Sequence, residues 1–147
     1  MDVKIVEMGE MRVASFHAYG EHPEAEAVKK MQEWAKPRGL ISEARYPVFG
    51  FDNPSPKPGD AKHGYDVWVV LDEKTDTKGA EVKSVPAAKY AKTRSEGLEN
   101  IGPNWRRLVE WAKENGHKWG GGQCLEGHVF GSSEGGHFAL DLYYPIK

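Results

Sequence analysis

The chain has 147 residues, 39% of them hydrophobic, which is enough for one domain with a hydrophobic core. Its 20 basic and 22 acidic residues give a formal net charge of −2, so the overall charge indicates no affinity for nucleic acid or an anionic membrane. No apolar run of about 18 residues is present to cross a bilayer, and the N-terminus lacks the features of a signal peptide. The single cysteine, Cys124, excludes an internal disulfide. We therefore predict a cytoplasmic protein without a membrane segment.

The first half of the chain is predicted to contain two strands, a helix and two further strands. Pro23 suits the first turn of the helix, and Gly39 suits its end. Between them Val28, Met31 and Ala35 form one apolar stripe at helical spacing. The predicted strands are residues 3–6, 11–16, 46–51 and 65–71, the predicted helix is 23–37, and residues 72–78 form a polar connector.

The second half is predicted to repeat this order. A strand at residues 82–93 is interrupted near Pro86, and the helix begins at Pro103 and ends at Asn115-Gly116. Two strands close the chain, at residues 124–130 and 138–146, with a glycine-rich turn at 131–136 between them.

A sequence repeat relates the two halves. Glu33-Trp34-Ala35-Lys36 recurs 77 residues later as Glu110-Trp111-Ala112-Lys113, so each helix carries the same four residues. We predict a single domain over residues 1–147, with one repeat at about 1–74 and the other at about 78–147. The predicted fold is α+β: two β-α-β-β units around a pseudo-twofold axis, with an antiparallel sheet and both helices on one face. A ligand cleft is expected at the seam between the repeats.

Alternation along the strands predicts which side chains face the helices. Leu125 and Val129 are expected on the helix side, and Glu126 and His128 on the opposite side. The same rule places a group of aromatic side chains opposite the helices, around Glu126. They are Phe49, Phe51, Trp68 and Tyr143.

An aromatic face with one carboxylate suits a hydrophobic cation, because Glu126 would supply the counter-charge and the rings a cation–π attraction. The alternative is structural: the rings pack beneath the loop at residues 52–63, and Glu126 is a solvated charge at its edge. Both interpretations are open from the residues alone. The equivalent positions of Asp66 and Asp141 in the two repeats favour a structural role for them, with a polar contact to a ligand as the alternative.

No metal site and no cofactor are predicted. The six histidines show no closely spaced pattern, and Gly120-Gly121-Gly122 lacks the residues of a phosphate-binding loop. Cys124 and His128 are about 13 Å apart along an extended strand, too far to form a catalytic pair.

Five segments that together span most of the chain form a recognisable set. They are Phe49-Gly50-Phe51-Asp52-Asn53-Pro54, Gly64-Tyr65-Asp66-Val67-Trp68-Val69, Trp105-Arg106-Arg107-Leu108, Leu125-Glu126-Gly127 and Leu140-Asp141-Leu142-Tyr143-Tyr144-Pro145-Ile146. In their order and spacing they resemble the GyrI-like superfamily of small-molecule-binding domains. Domains of this kind occur at the C-terminus of AraC- and MerR-type multidrug regulators and as free-standing proteins.

The resemblance implies a cleft lined by a strand glutamate, at Glu126, and by an aromatic residue at the start of the second helix, at Trp105. Phe49, Phe51, Trp68, His128 and Tyr143 complete the predicted ligand-binding set. We predict a stand-alone protein that binds hydrophobic, cationic or amphipathic small molecules. It is expected not to contact DNA itself, and a protein partner is compatible with this prediction. The alternative implied by the resemblance is a hydrolase of strained electrophiles such as cyclopropanoids, with Glu126 as general base and Tyr143 assisting.

Overall fold

The computed structural model describes residues 1–40, 47–129 and 138–147. Two compact units are present: a contiguous unit, Met11–Val85, and a terminal unit made of Met1–Glu10 and Pro86–Lys147. The eight strands are β1 (Lys4–Met8), β2 (Met11–Gly20), β3 (Val48–Asp52), β4 (His63–Leu71), β5 (Glu81–Val85), β6 (Ala88–Glu96), β7 (Leu125–His128) and β8 (Ala139–Ile146). The two α-helices are α1 (Pro23–Ala35) and α2 (Ile101–Glu114).

The contiguous unit is a four-stranded antiparallel sheet in the order β3-β4-β2-β5, with α1 packed against β2 and β4. The helix begins at Pro23, and the chain leaves a following 3-10 turn through Gly39, whose φ of 67° favours glycine. The rings of Phe16 and Trp34 lie 5.6 Å apart, which identifies the face of the sheet that α1 covers. Val67, opposite Phe16, lies on that face.

The terminal unit has the corresponding order β1-β6-β8-β7, and α2 packs against β6 and β8. Leu108 and Ala112 of the helix are buried in one cluster with Leu140 and Leu142 of β8. The helix-side face of this sheet is thereby fixed, because residues 140 and 142 alternate with 141 and 143.

These units confirm the predicted α+β class, the antiparallel strands and the two helices. The strand predicted at residues 82–93 is divided at Pro86 into β5 and β6, as its interruption indicated. β5 pairs with β2, and β1 pairs with β6, so neither pairs with the strand that follows it in the chain. The repeat boundaries at about 1–74 and 78–147 concern sequence similarity and stay a prediction.

Neither helix in the described part of the chain is long and apolar enough to cross a membrane. The glycine-rich turn predicted at 131–136 and the predicted strand ends at residues 46 and 130 lie outside the described residues.

Candidate functional site

Glu126 lies within β7, and the neighbouring strand shows which way its side chain points. Glu126 is opposite Leu142 of β8, and Leu125 is opposite Tyr143. Directly opposed residues of an antiparallel pair point to the same face, and Leu142 belongs to the core beneath α2. Glu126 therefore points to the helix side and Leu125 away from it. The prediction that Leu125 faces the helices and Glu126 the opposite side is wrong, and Val129 lies beyond the end of β7.

The wrong face was assigned to Glu126 because the two halves were aligned one residue out of register at β3 and β7. Phe49 is opposite Trp68 in the contiguous unit, as Leu125 is opposite Tyr143 in the terminal unit. Glu126 therefore corresponds to Gly50, and a strand shifted by one residue exchanges its two faces. A Cβ at Gly50 would collide with the ring of Tyr65, so an aromatic ring fills that place in the contiguous unit. At this position the contiguous unit thus has a glycine covered by an aromatic ring, whereas the terminal unit has the carboxylate of Glu126.

Trp105 and Glu126 lie together, as the family resemblance implied. The indole Nε1 of Trp105 donates a hydrogen bond of 3.4 Å to Oε2 of Glu126. Trp105 lies one turn into α2 and packs beside the buried Leu108, on the face that α2 turns toward the sheet. Both partners are half-buried. A helix side chain and a strand side chain therefore form one amphipathic site.

His128 points to the same side as Glu126, because it lies two residues further along β7 and opposite Leu140. Burial lowers the pKa of His128 from 6.5 to about 4. The imidazole is therefore uncharged at neutral pH, and it adds no positive charge beside Glu126.

This burial predicts a loss of stability in mild acid. In the unfolded chain His128 becomes protonated as the pH falls through 6.5, its ordinary pKa. In the folded chain it becomes protonated only as the pH falls to about 4. The free energy of unfolding should therefore fall as the pH drops from 6.5 to 4, by an amount on the order of 2 kcal/mol. Urea denaturation at a series of pH values measures this fall in the free energy of unfolding.

His128→Gln should remove this part of the pH dependence, while His22→Gln, at an exposed histidine, should keep it. Equal pH dependence in the wild type and in His128→Gln would contradict the prediction.

The aromatic residues of the contiguous unit lie on the predicted face but are not open to water. Phe49 and Phe51 of β3 flank Gly50 and point away from α1, as does Trp68 of β4. Their exposed fractions are only 4%, 7% and 8%, and the rings of Phe51 and Trp68 pack edge to face at 4.7 Å. These rings are therefore largely shielded from water, and the contact between Phe51 and Trp68 accounts for part of that burial.

Tyr143 is also buried, on the face of its sheet opposite Glu126. Its ring packs at right angles to Tyr90 with centroids 5.8 Å apart, and Nζ of Lys92 lies 5.4 Å from the ring centroid. Burial raises the pKa of the Tyr143 hydroxyl, and Lys92 partly offsets this. The structure does not bring together Glu126 and Tyr143, the two residues predicted for hydrolysis.

An open depression of about 650 Å³ lies beside Trp105 on α2. Val109, four residues after Trp105 and on the same helix face, also lines this depression, although it was not among the predicted site residues. The lining residues are Pro103, Trp105, Arg106, Arg107, Val109 and Glu110. Another depression, of about 500 Å³, is lined largely by charged groups of the terminal unit such as Lys92 and Arg94. It includes Asp141 but no residue of the predicted ligand-binding set.

Comparison with known proteins shows the family of this chain. Residues 1–127 match the family model of the GyrI-like small molecule binding domain. A DNA gyrase inhibitor from Erwinia billingiae (strain Eb661) is 25% identical over 157 residues, covering 100% of this chain and 98% of that protein.

Two solved structures share the fold at low sequence identity. SAV2435 bound to tetraphenylphosphonium has a TM-score of 0.63 and 12% identity, covering 100% of this chain and 94% of that one. EcmrR in complex with DNA has a TM-score of 0.72 and 15% identity, but the match covers 99% of this chain and only 57% of EcmrR. The match therefore covers only part of EcmrR, which is longer than this chain.

Proposed function

Because this chain belongs to the GyrI-like family of small-molecule-binding domains, we propose that it binds a hydrophobic cation at Trp105 and Glu126. The observation that carries the proposal is the hydrogen bond between the Trp105 indole and the Glu126 carboxylate on the helix side of β7. The hydrogen bond places an aromatic ring beside a negatively charged carboxylate. A binding site for a lipophilic cation combines these two groups.

The surroundings of the pair favour a ligand that is cationic and largely apolar. His128 is uncharged at neutral pH, so a bound cation meets no like charge from the imidazole two residues along the strand. Glu126 lies opposite the buried Leu142, in an apolar setting where an ion pair is screened less than at the surface. Contact of the cation with the Trp105 ring contributes about 0.5–2 kcal/mol. Tetraphenylphosphonium, bound by the structurally similar SAV2435, is a ligand of this chemical type.

The remaining predicted contacts, Phe49, Phe51, Trp68, His128 and Tyr143, stay predictions. The four aromatic residues among them are largely buried, so little of each ring is open to a ligand. Within the described residues the buried Nε1 of Trp68 has no hydrogen-bond partner, which leaves a donor for an acceptor group on a ligand. The cytoplasmic location and the protein partner are likewise predictions.

Hydrolysis of strained electrophiles also stays a prediction. Glu126 alone would have to act as general base, since Tyr143 points to the other face of the sheet. Repeated turnover of a cyclopropanoid, followed by mass spectrometry and lost in Glu126→Gln, would establish this activity.

We expect Glu126→Gln to weaken binding of tetraphenylphosphonium by about tenfold or more, because the amide keeps the shape of the side chain and removes its charge. Titration calorimetry measures the affinity. Binding of a neutral ligand of similar size, triphenylphosphine oxide, should change less than about twofold, because it carries no charge to pair.

Glu110→Gln is the matched control, because Glu110 is an exposed carboxylate that lines the depression beside Trp105. It should leave the affinity for tetraphenylphosphonium near that of the wild type, since an exposed charge pair contributes little. Equal affinity of Glu126→Gln and wild type would show that Glu126 is not the counter-charge.

A further inference from the structure

We propose that the contiguous unit binds a divalent metal ion between Glu24, Asp52 and His63. These residues come from three elements: the first turn of α1, the end of β3 and the start of β4. One potential ligand atom of each lies within 4.8 Å of the other two. Nε2 of His63 is 2.6 Å from Oε1 of Glu24 and 3.9 Å from Oδ1 of Asp52.

These separations suit a shared metal ion. Zinc lies about 2.0–2.2 Å from nitrogen and oxygen ligands, so two ligand atoms at a tetrahedral angle are about 3.3 Å apart. One observed separation is shorter than this and the other longer, each by about 0.7 Å or less. The side chains of Glu24 and Asp52 are about half exposed, which leaves them free to adjust by such an amount.

The backbone holds the ends of β3 and β4 together independently of any ligand. The amide of Asn53 donates to the carbonyl of Gly64 at 2.9 Å, and the amide of Gly64 donates to the carbonyl of Pro54 at 3.0 Å. A Cβ at Gly64 would collide with the carbonyl of Asn53, so this close approach requires glycine. Asp52 and His63, each next to one of these residues, are therefore positioned before a metal ion arrives.

The charges of the cluster favour a dication. Glu24 and Asp52 both lie beside His63, so two carboxylates of like charge share one small space. A divalent ion neutralises both of them, whereas a protonated His63 neutralises one. One imidazole and two carboxylates suit zinc-type first-row metals better than calcium or magnesium, which prefer oxygen ligands. Three protein ligands leave a coordination position for water.

The sequence pattern of these three residues predicts no metal site. Intervals of 28 residues between Glu24 and Asp52, and of 11 between Asp52 and His63, match no compact metal-binding pattern. The three residues meet only through the pairing of β3 with β4 and the packing of α1 on that sheet.

Titration of the full chain with Zn²⁺ by calorimetry, and with Co²⁺ by visible absorption, tests the site. We expect saturable binding of one equivalent of each ion. His63→Gln and Asp52→Asn should each weaken binding about tenfold or more, since each removes one of three ligands. His22→Gln is the control, because His22 is an exposed histidine near Glu24 that does not belong to the cluster. Circular dichroism confirms that each variant is folded.

Absence of saturable one-equivalent binding by the wild type would overturn the proposal and leave an ion pair between His63 and the carboxylates. Wild-type affinity in both His63→Gln and Asp52→Asn would overturn it as well, as would an equal loss in His22→Gln. Glu126→Gln should bind Zn²⁺ as the wild type does, so the metal site can fail or hold independently of cation binding at Trp105 and Glu126.

Discussion

Replacing Leu108 by alanine is expected to lower the free energy of unfolding by about 2–5 kcal/mol. Leu108 is completely buried between α2 and the sheet of the terminal unit, in the cluster that contains Leu140 and Leu142. Its loss removes apolar contacts and leaves a cavity that the surrounding strands cannot fully close. Urea denaturation followed by far-UV circular dichroism measures the change.

The control is Leu98→Ala, because Leu98 is 67% exposed. It should change the free energy of unfolding by no more than about 0.5 kcal/mol. Similar effects of the two substitutions would mean that Leu108 is not part of a closely packed core. Because Leu108 and Trp105 share one face of α2, cation binding by the Leu108 variant should also be measured under conditions in which it remains folded.

Gly64→Ala is expected to destabilise the protein by about 3 kcal/mol. The new Cβ would collide with the backbone carbonyl of Asn53 and with the ring of Pro54. A backbone atom cannot rotate away as the end of a side chain can, so β3 and β4 must separate locally. The melting temperature and the free energy of unfolding should both fall.

Gly20→Ala provides a comparison in the same sheet. Gly20 lies at the end of β2, opposite His63, and a Cβ there meets no atom within 4 Å. Alanine at this position should be neutral or stabilising by up to about 1 kcal/mol, because glycine costs more conformational entropy on folding. A Gly64→Ala protein as stable as Gly20→Ala would contradict the close approach of the two strands.

Much of the fold could be predicted because its signals are local. Pro23 and Gly39 mark the beginning and end of the first helical segment, and alternation correctly placed Trp68 of β4 on the face opposite the helix. Alternation within a strand gives two faces without saying which one is inside. The face of β7 depends on its register with β8, and an error of one residue in aligning the repeats was enough to place Glu126 on the wrong side.

The site could be predicted only in part for the same reason. Trp105 and Glu126 were identified through the family resemblance, but their contact depends on how α2 packs on β6 and β8 and on the register of β7 with β8. Whether Phe49 and Trp68 are open to a ligand or buried was left open, because a pattern of alternating residues cannot show what covers each face. Glu24, Asp52 and His63 are far apart in sequence and became neighbours only through long-range packing.

During synthesis, β1 must wait until β6 has been made before it can pair. Lys4 of β1 lies opposite Lys92 of β6, so β1 has no partner while the intervening residues leave the ribosome. The contiguous unit has all of its strands and its helix within Met11–Val85 and can close first. The residues of β1 therefore stay without their partner strand after the contiguous unit has been made, and their backbone groups remain available to other chains until β6 emerges.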